Sequence, residues 1–177
     1  MINKIKEDSK NMLENPLEEL KKQKFDINNT FISVDPGGYE HYFAIFRNKN
    51  LIYYNKFNTH NFKVLKDIID KYKPSYFFIE DIFLNPKYIN AIKMFQEQMR
   101  LRVWLEDIFN IPYILINNKT WMKEFIHKDI KDKTERYKIL YNTVINKYKI
   151  NIKQSNKQDN IIAAISIGTF IINYFNK

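Results

Sequence analysis

Phe31-Ile-Ser-Val-Asp-Pro-Gly-Gly38 is a short apolar run that stops at an acid and passes into turn residues. That pattern predicts a strand over Phe31–Val34 with Asp35 at its end. Tyr42–Phe46 and Leu51–Phe57 follow as two more strands, and Arg47-Asn-Lys-Asn50 between them completes a meander. Phe62, Leu65, Ile68 and Ile69 then recur with a helical period that closes before Pro74. Ser75–Ile79 reads as a fourth strand, apolar on both faces and therefore central. A long helix is expected from Pro86 to Phe109, with proline in its first turn, and Ile111–Ile116 as a fifth strand. Trp121–Phe125, Lys133–Tyr148 and the segment from Ser155 onward are expected to be helical. The sum is an α/β protein whose central five-stranded mixed sheet is flanked by helices.

Working outward, residues 29–177 form one domain and residues 1–28 an extension. Leu13, Leu17 and Leu20 are helically spaced there, interrupted by Pro16, and read as a short amphipathic helix packed on the main domain. The net charge of +9 is unevenly placed: residues 118–153 hold ten Lys or Arg against four acids, while residues 1–28 hold six of each sign. A localised basic stretch fits a polyanionic partner, most simply nucleic acid. Lysine-rich composition also follows from AT-rich coding sequence, so charge alone leaves both readings open. With no cysteine, disulfides and thiolate metal sites are excluded. Lys4, Lys6, Glu7 and Asp8 leave no apolar core for a signal peptide, so an intracellular protein is expected. The uncharged run from Asn160 to Asn176 falls short of the ~20 residues of a membrane span and reads as a buried helix.

Three acids stand where elements change: Asp35 after the first strand, Glu80 after the fourth, and Asp159 in the first turn of the last helix. Ser155 and Gln158 form a capping box for that helix, which sets Asn156 and Asp159 on one face. Acids ending adjacent central strands come close together, and clustered carboxylates repel unless a cation is bound. Oxygen ligands without cysteine or clustered histidine favour Mg²⁺ or Mn²⁺. Two such ions ~3.5–4 Å apart support phosphodiester hydrolysis. Each acid also has a plainer reading. Asp35 before Pro-Gly can form a turn through its own side chain, and Asp159 can complement a helix dipole. His41, His60 and His127 show no metal-ligand spacing and read as structural or surface residues.

The element order is that of the RNase H-like fold, and three motifs resemble the RuvC-type Holliday junction resolvases. Phe31-Ile-Ser-Val-Asp-Pro-Gly-Gly38 resembles their first-strand motif, and Phe78-Ile-Glu-Asp-Ile-Phe83 resembles their Glu-x-x-Phe motif. Gln158-Asp-Asn-Ile-Ile-Ala-Ala164 resembles the start of their last helix, in the same order across roughly residues 31 to 175. The resemblance implies that Asp35, Glu80 and Asp159 bind the catalytic metals. Asn156 stands where the family carries a further acid; an amide oxygen can ligate Mg²⁺ but brings no charge. Phe83 matches an aromatic residue that stacks on bases at the junction centre. Lys119 matches a lysine near the scissile phosphate, and Lys133 a second, with Lys131 as the other choice of register. The helix over 86–109 matches the one through which the family forms homodimers.

The expected function is therefore a magnesium-dependent endonuclease that resolves four-way DNA junctions by paired, symmetric nicks. Two alternatives share the fold: a broader branched-DNA, flap or RNA-processing nuclease, and a catalytically weakened junction-binding protein.

Overall fold

The computed structural model describes residues 16–82, 89–152 and 159–177. Its sheet has the order β3-β2-β1-β4-β5, built from β1 (Phe31–Asp35), β2 (Glu40–Arg47), β3 (Asn50–Asn58), β4 (Tyr76–Asp81) and β5 (Tyr113–Asn117). The meander pairs antiparallel, and β4 lies parallel between β1 and β5, in the interior position its two apolar faces require. Phe77, Phe78 and Ile79 are accordingly buried, whereas β3, at the edge, is mostly exposed.

Alternation along the strands feeds two cores. Ile32, Val34, Phe43, Ile45, Phe77 and Ile79 face α2 (Phe62–Tyr72) and α3 (Ile89–Val103). Phe31, Ala44, Phe46 and Phe78 face α6 (Asp159–Phe175), which packs across β1 and β2 with α5 (Lys133–Tyr148) outside it. Every residue from Ile162 to Ile172 is buried, so α6 is apolar all round because it is covered all round. Gly168 sets how closely α6 approaches. A Cβ there would lie 2.0 Å from the ring of Phe46, itself stacked on Phe31 with centroids 5.1 Å apart. Ser33 fixes the same contact by donating to the carbonyl of Ala164 at 2.6 Å.

The extension contributes α1 (Pro16–Lys22), whose Leu17 and Leu20 are buried in the α6-side core. Pro16 is the first residue of that helix, where a missing N–H costs nothing; Leu13 lies outside the described residues. Strands β1 to β4 each differ from the sequence reading by a residue or two at their ends, and three other boundaries also differ. The expected 86–109 helix, described from Ile89, is α-helical to Val103 and then widens into a π turn over Trp104–Ile108, setting Phe109 flat against Phe62. β5 begins at Tyr113, since the Ile111 N–H bonds to the Leu105 carbonyl instead of to the sheet. α4 spans Asn118–Met122 and starts directly at the strand end, because the Asn117 side chain caps it through the Lys119 N–H at 2.9 Å. Among the described residues, no helix is long and apolar enough to cross a membrane.

Candidate active site

β1 and β4 run side by side with Val34 opposite Ile79, so the next residues, Asp35 and Glu80, emerge together at one edge of the sheet. The turn after Asp35 holds them there. A Cβ on Gly37 would sit 2.3 Å from the carbonyl oxygen of Glu40, so only glycine lets the chain fold back into β2 so tightly. Instead of capping its own turn, the Asp35 carboxyl meets that of Glu80 in a hydrogen bond. Burial, then the charge of Glu80 and that hydrogen bond, push the Asp35 carboxyl well above the ordinary carboxylate range.

Glu80 is the better supported member of the pair. Its Oε1 accepts from the amide of Asn118 and from the indole N–H of Trp121, the latter at 3.4 Å. The fully buried Gln98 donates to its backbone carbonyl at 2.5 Å, tying the strand end to α3. Among the described residues, side-chain donors serve Glu80 and none serves the Asp35 carboxyl.

The pair opens into a cleft of about 340 Å³, lined also by Pro36, Met94, Asn118, Trp121, Tyr137 and Asn160. Asp159 opens α6 beside it, half buried. Burial raises its carboxyl above the usual value, and the positive charge of Lys133 opposes that shift. Tyr137, one turn along α5 from Lys133, feels the charges of Asp35, Asp159 and Glu80 together. Asp35 and Glu80 line the cleft together with Asp81, and Asp159 lies near enough to act on the same Tyr137, although among the described residues no three acids or histidines form a ready cage around a single ion.

The expected site residues divide accordingly. Asp35 and Glu80 are in contact, Asp159 lies near the same cleft, and the positive charge of Lys133 acts on Asp159. Lys119 is exposed on α4, one residue past Asn118, and Lys131 is exposed in the loop before α5. Phe83, Ser155, Asn156 and Gln158 lie outside the described residues. The histidines stand apart from the cleft. His41 is buried, which lowers its pKa to about 4; His60 pairs with Glu97 at 3.6 Å and His127 with Asp129 at 2.9 Å. Gln98, Asn118, Trp121 and Tyr137 were not singled out from sequence. Only for Tyr137 was there a signal: an aromatic residue four positions after a candidate lysine on one helix face.

The donors suit a hard divalent cation. Two contacting carboxylates, one of them buried, are stable only with a shared proton or a bound positive charge. An all-oxygen set with amide oxygens at hand favours Mg²⁺ or Mn²⁺ over zinc.

No protein-family model matches the chain, and no curated protein matches it. Solved structures do. RuvC of Thermus thermophilus, in complex with a Holliday junction substrate, aligns at a TM-score of 0.58 over 84% of this chain and 94% of its own, with 12% identity. The fowlpox virus resolvase, in complex with Holliday junction DNA, aligns at 0.56 over 84% of this chain and 99% of its own, with 18% identity. The yeast mitochondrial Holliday junction resolvase aligns at 0.51 over 83% and 79%, with 12% identity. At such identities the likeness speaks for architecture, and the chain has the RNase H-like fold of the RuvC-type junction resolvases.

Proposed function

We propose that this protein is a divalent-metal-dependent endonuclease that resolves four-way DNA junctions by paired symmetric nicks. The observation that carries the proposal is the Asp35–Glu80 pair, brought into contact at adjacent strand ends and opening into a polar cleft. The fold shared with three junction resolvases supports branched DNA as the substrate of that cleft.

Asp35 and Glu80 would hold the metal, with Asp159 closing the site from α6. Asn156, outside the described residues, would add an uncharged oxygen. Two bound ions would supply Lewis-acid charge at the scissile phosphate and lower the barrier to attack by water. The chain's own residues set the geometry. Asn118 and Trp121 both hold one Glu80 oxygen in place. Gln98 fixes the strand that carries it. Lys133 offsets the negative charge that Asp159 and a phosphate bring together. In the net reaction the oxygen of water bonds to phosphorus as the bond to the 3′ oxygen breaks. The 3′ oxygen takes up a proton, leaving 3′-hydroxyl and 5′-phosphate ends.

Lys119, Lys131 and Lys133 would neutralise flanking phosphates, and Phe83 would stack on an opened base. Base–aromatic stacking contributes about 1–3 kcal/mol per base. A homodimer would present two clefts to a junction whose symmetry matches its own. Ile89, Val103 and Ile108 are exposed along α3 and the π turn that continues it, at 83, 46 and 56%, and supply an apolar surface for that contact.

Substrate choice tests the proposal. With Mg²⁺, a labelled four-way junction is expected to be cut at least about tenfold faster than linear duplex or single strand, a difference of about 1.4 kcal/mol in barrier. Equal cutting of all three would leave a nuclease without junction selectivity. Tight junction binding without any cutting would leave a structural binder.

A further inference from the structure

The cleft presents three carboxylates to a substrate that is itself anionic, so the donors that face it decide how a phosphate sits. Most of those present are already committed. The Asn118 amide and the Trp121 indole N–H both serve Glu80. The charge of Lys133 acts on Asp159, and its Nζ lies 5.7 Å from the ring centroid of Tyr137. The Tyr137 phenol differs. It lines the cleft with Asp35 and Glu80, and among the described residues no group accepts a hydrogen bond from its hydroxyl.

We infer that Tyr137 is a substrate-contacting residue, its hydroxyl donating to a non-bridging oxygen of the phosphate in the cleft while its ring steadies the Lys133 ammonium. This assignment rests on the nuclease reading of the same cleft. A phenol suits the place for two reasons. It is neutral, so it does not compete with a cation for the carboxylates. Burial and the three nearby negative charges also raise its pKa, which keeps it a proton-bearing donor across the working pH range. α5 fixes its direction. Asp132 caps the helix through the Glu135 N–H at 2.8 Å, and one turn separates Lys133 from Tyr137 on the same face.

The test compares Tyr137→Phe, which keeps the ring, with Tyr137→Leu, which removes it. In Mg²⁺ the single-turnover cleavage rate of Tyr137→Phe is expected to fall about ten- to a hundredfold, the loss of one hydrogen bond to a charged oxygen. Junction affinity in Ca²⁺ should weaken several-fold through the same lost contact, and melting temperature should stay at the wild-type value. Tyr137→Leu should lose further rate through Lys133. A second readout needs no turnover. With ¹³C-labelled tyrosine, the ring resonance missing from Tyr137→Phe identifies Tyr137, and it should shift when a junction is added in Ca²⁺. An unchanged Tyr137→Phe rate, or a resonance unmoved by DNA, overturns the assignment. If wild type cuts no DNA while the resonance shifts, the nuclease reading fails and the Tyr137 contact stands.

Discussion

Asp35→Asn is expected to abolish cleavage and, in EDTA, to leave the protein more stable than wild type. The activity loss should be on the order of a thousandfold or more, because the substitution removes a charge that positions the electrostatic centre of the reaction. The stability gain follows from the metal-free pair. The folded-state pKa of Asp35 is raised from its ordinary 3.8, so between that pH and its folded value the native state binds the extra proton. Stability from this group is therefore full below about pH 4 and falls as pH rises, by up to about 1.4 kcal/mol per pH unit. Asparagine carries no titrating charge and removes that slope. At pH 8 in EDTA the variant should melt at a higher temperature than wild type. Melting curves at pH 5 and pH 8 check this: the gain belongs at pH 8. A variant less stable than wild type at both pH values would show that Asp35 holds the fold, not a cation.

Metal removal is the second large effect. EDTA should eliminate cleavage, and either Mg²⁺ or Mn²⁺ should restore it. The same ions should stabilise the fold, since a cation that binds only the native pair adds about 1.4 kcal/mol at ten times its Kd. For a chain of this size that is a melting rise of about 3–6 °C. Thermal titrations of wild type and Asp35→Asn separate site binding from general salt effects: the rise should be present in the first and absent in the second. Equal shifts in both proteins would place the ion elsewhere.

The sheet was legible because its signals are local. The two apolar faces of Ser75–Ile79 mark an interior strand whatever surrounds it, and Asp-Pro-Gly-Gly marks where β1 must end. The uncharged Asn160–Asn176 run likewise announced a buried helix. The support around Glu80 was illegible for the opposite reason. Gln98, Asn118 and Trp121 lie 18, 38 and 41 residues along the chain from it, and each looks ordinary in its own helix. Trp121 in particular reads as core, and it is core; its indole N–H happens to end at a carboxylate. The π turn after Val103 was invisible because it serves a tertiary contact, Phe109 on Phe62. The Leu17 and Leu20 spacing told that the extension is helical and packs on the main domain, and both leucines are buried in its core.

The most direct test of the account maps the cuts. A four-way junction labelled in turn on each strand is incubated with wild type or Asp35→Asn in Mg²⁺ or EDTA, and product ends are read at nucleotide resolution. The account predicts two nicks at symmetry-related positions in opposing strands, with 5′-phosphate ends that ligase reseals, and only for wild type in Mg²⁺. Cuts that persist in Asp35→Asn, or an intact junction under every condition, would contradict it.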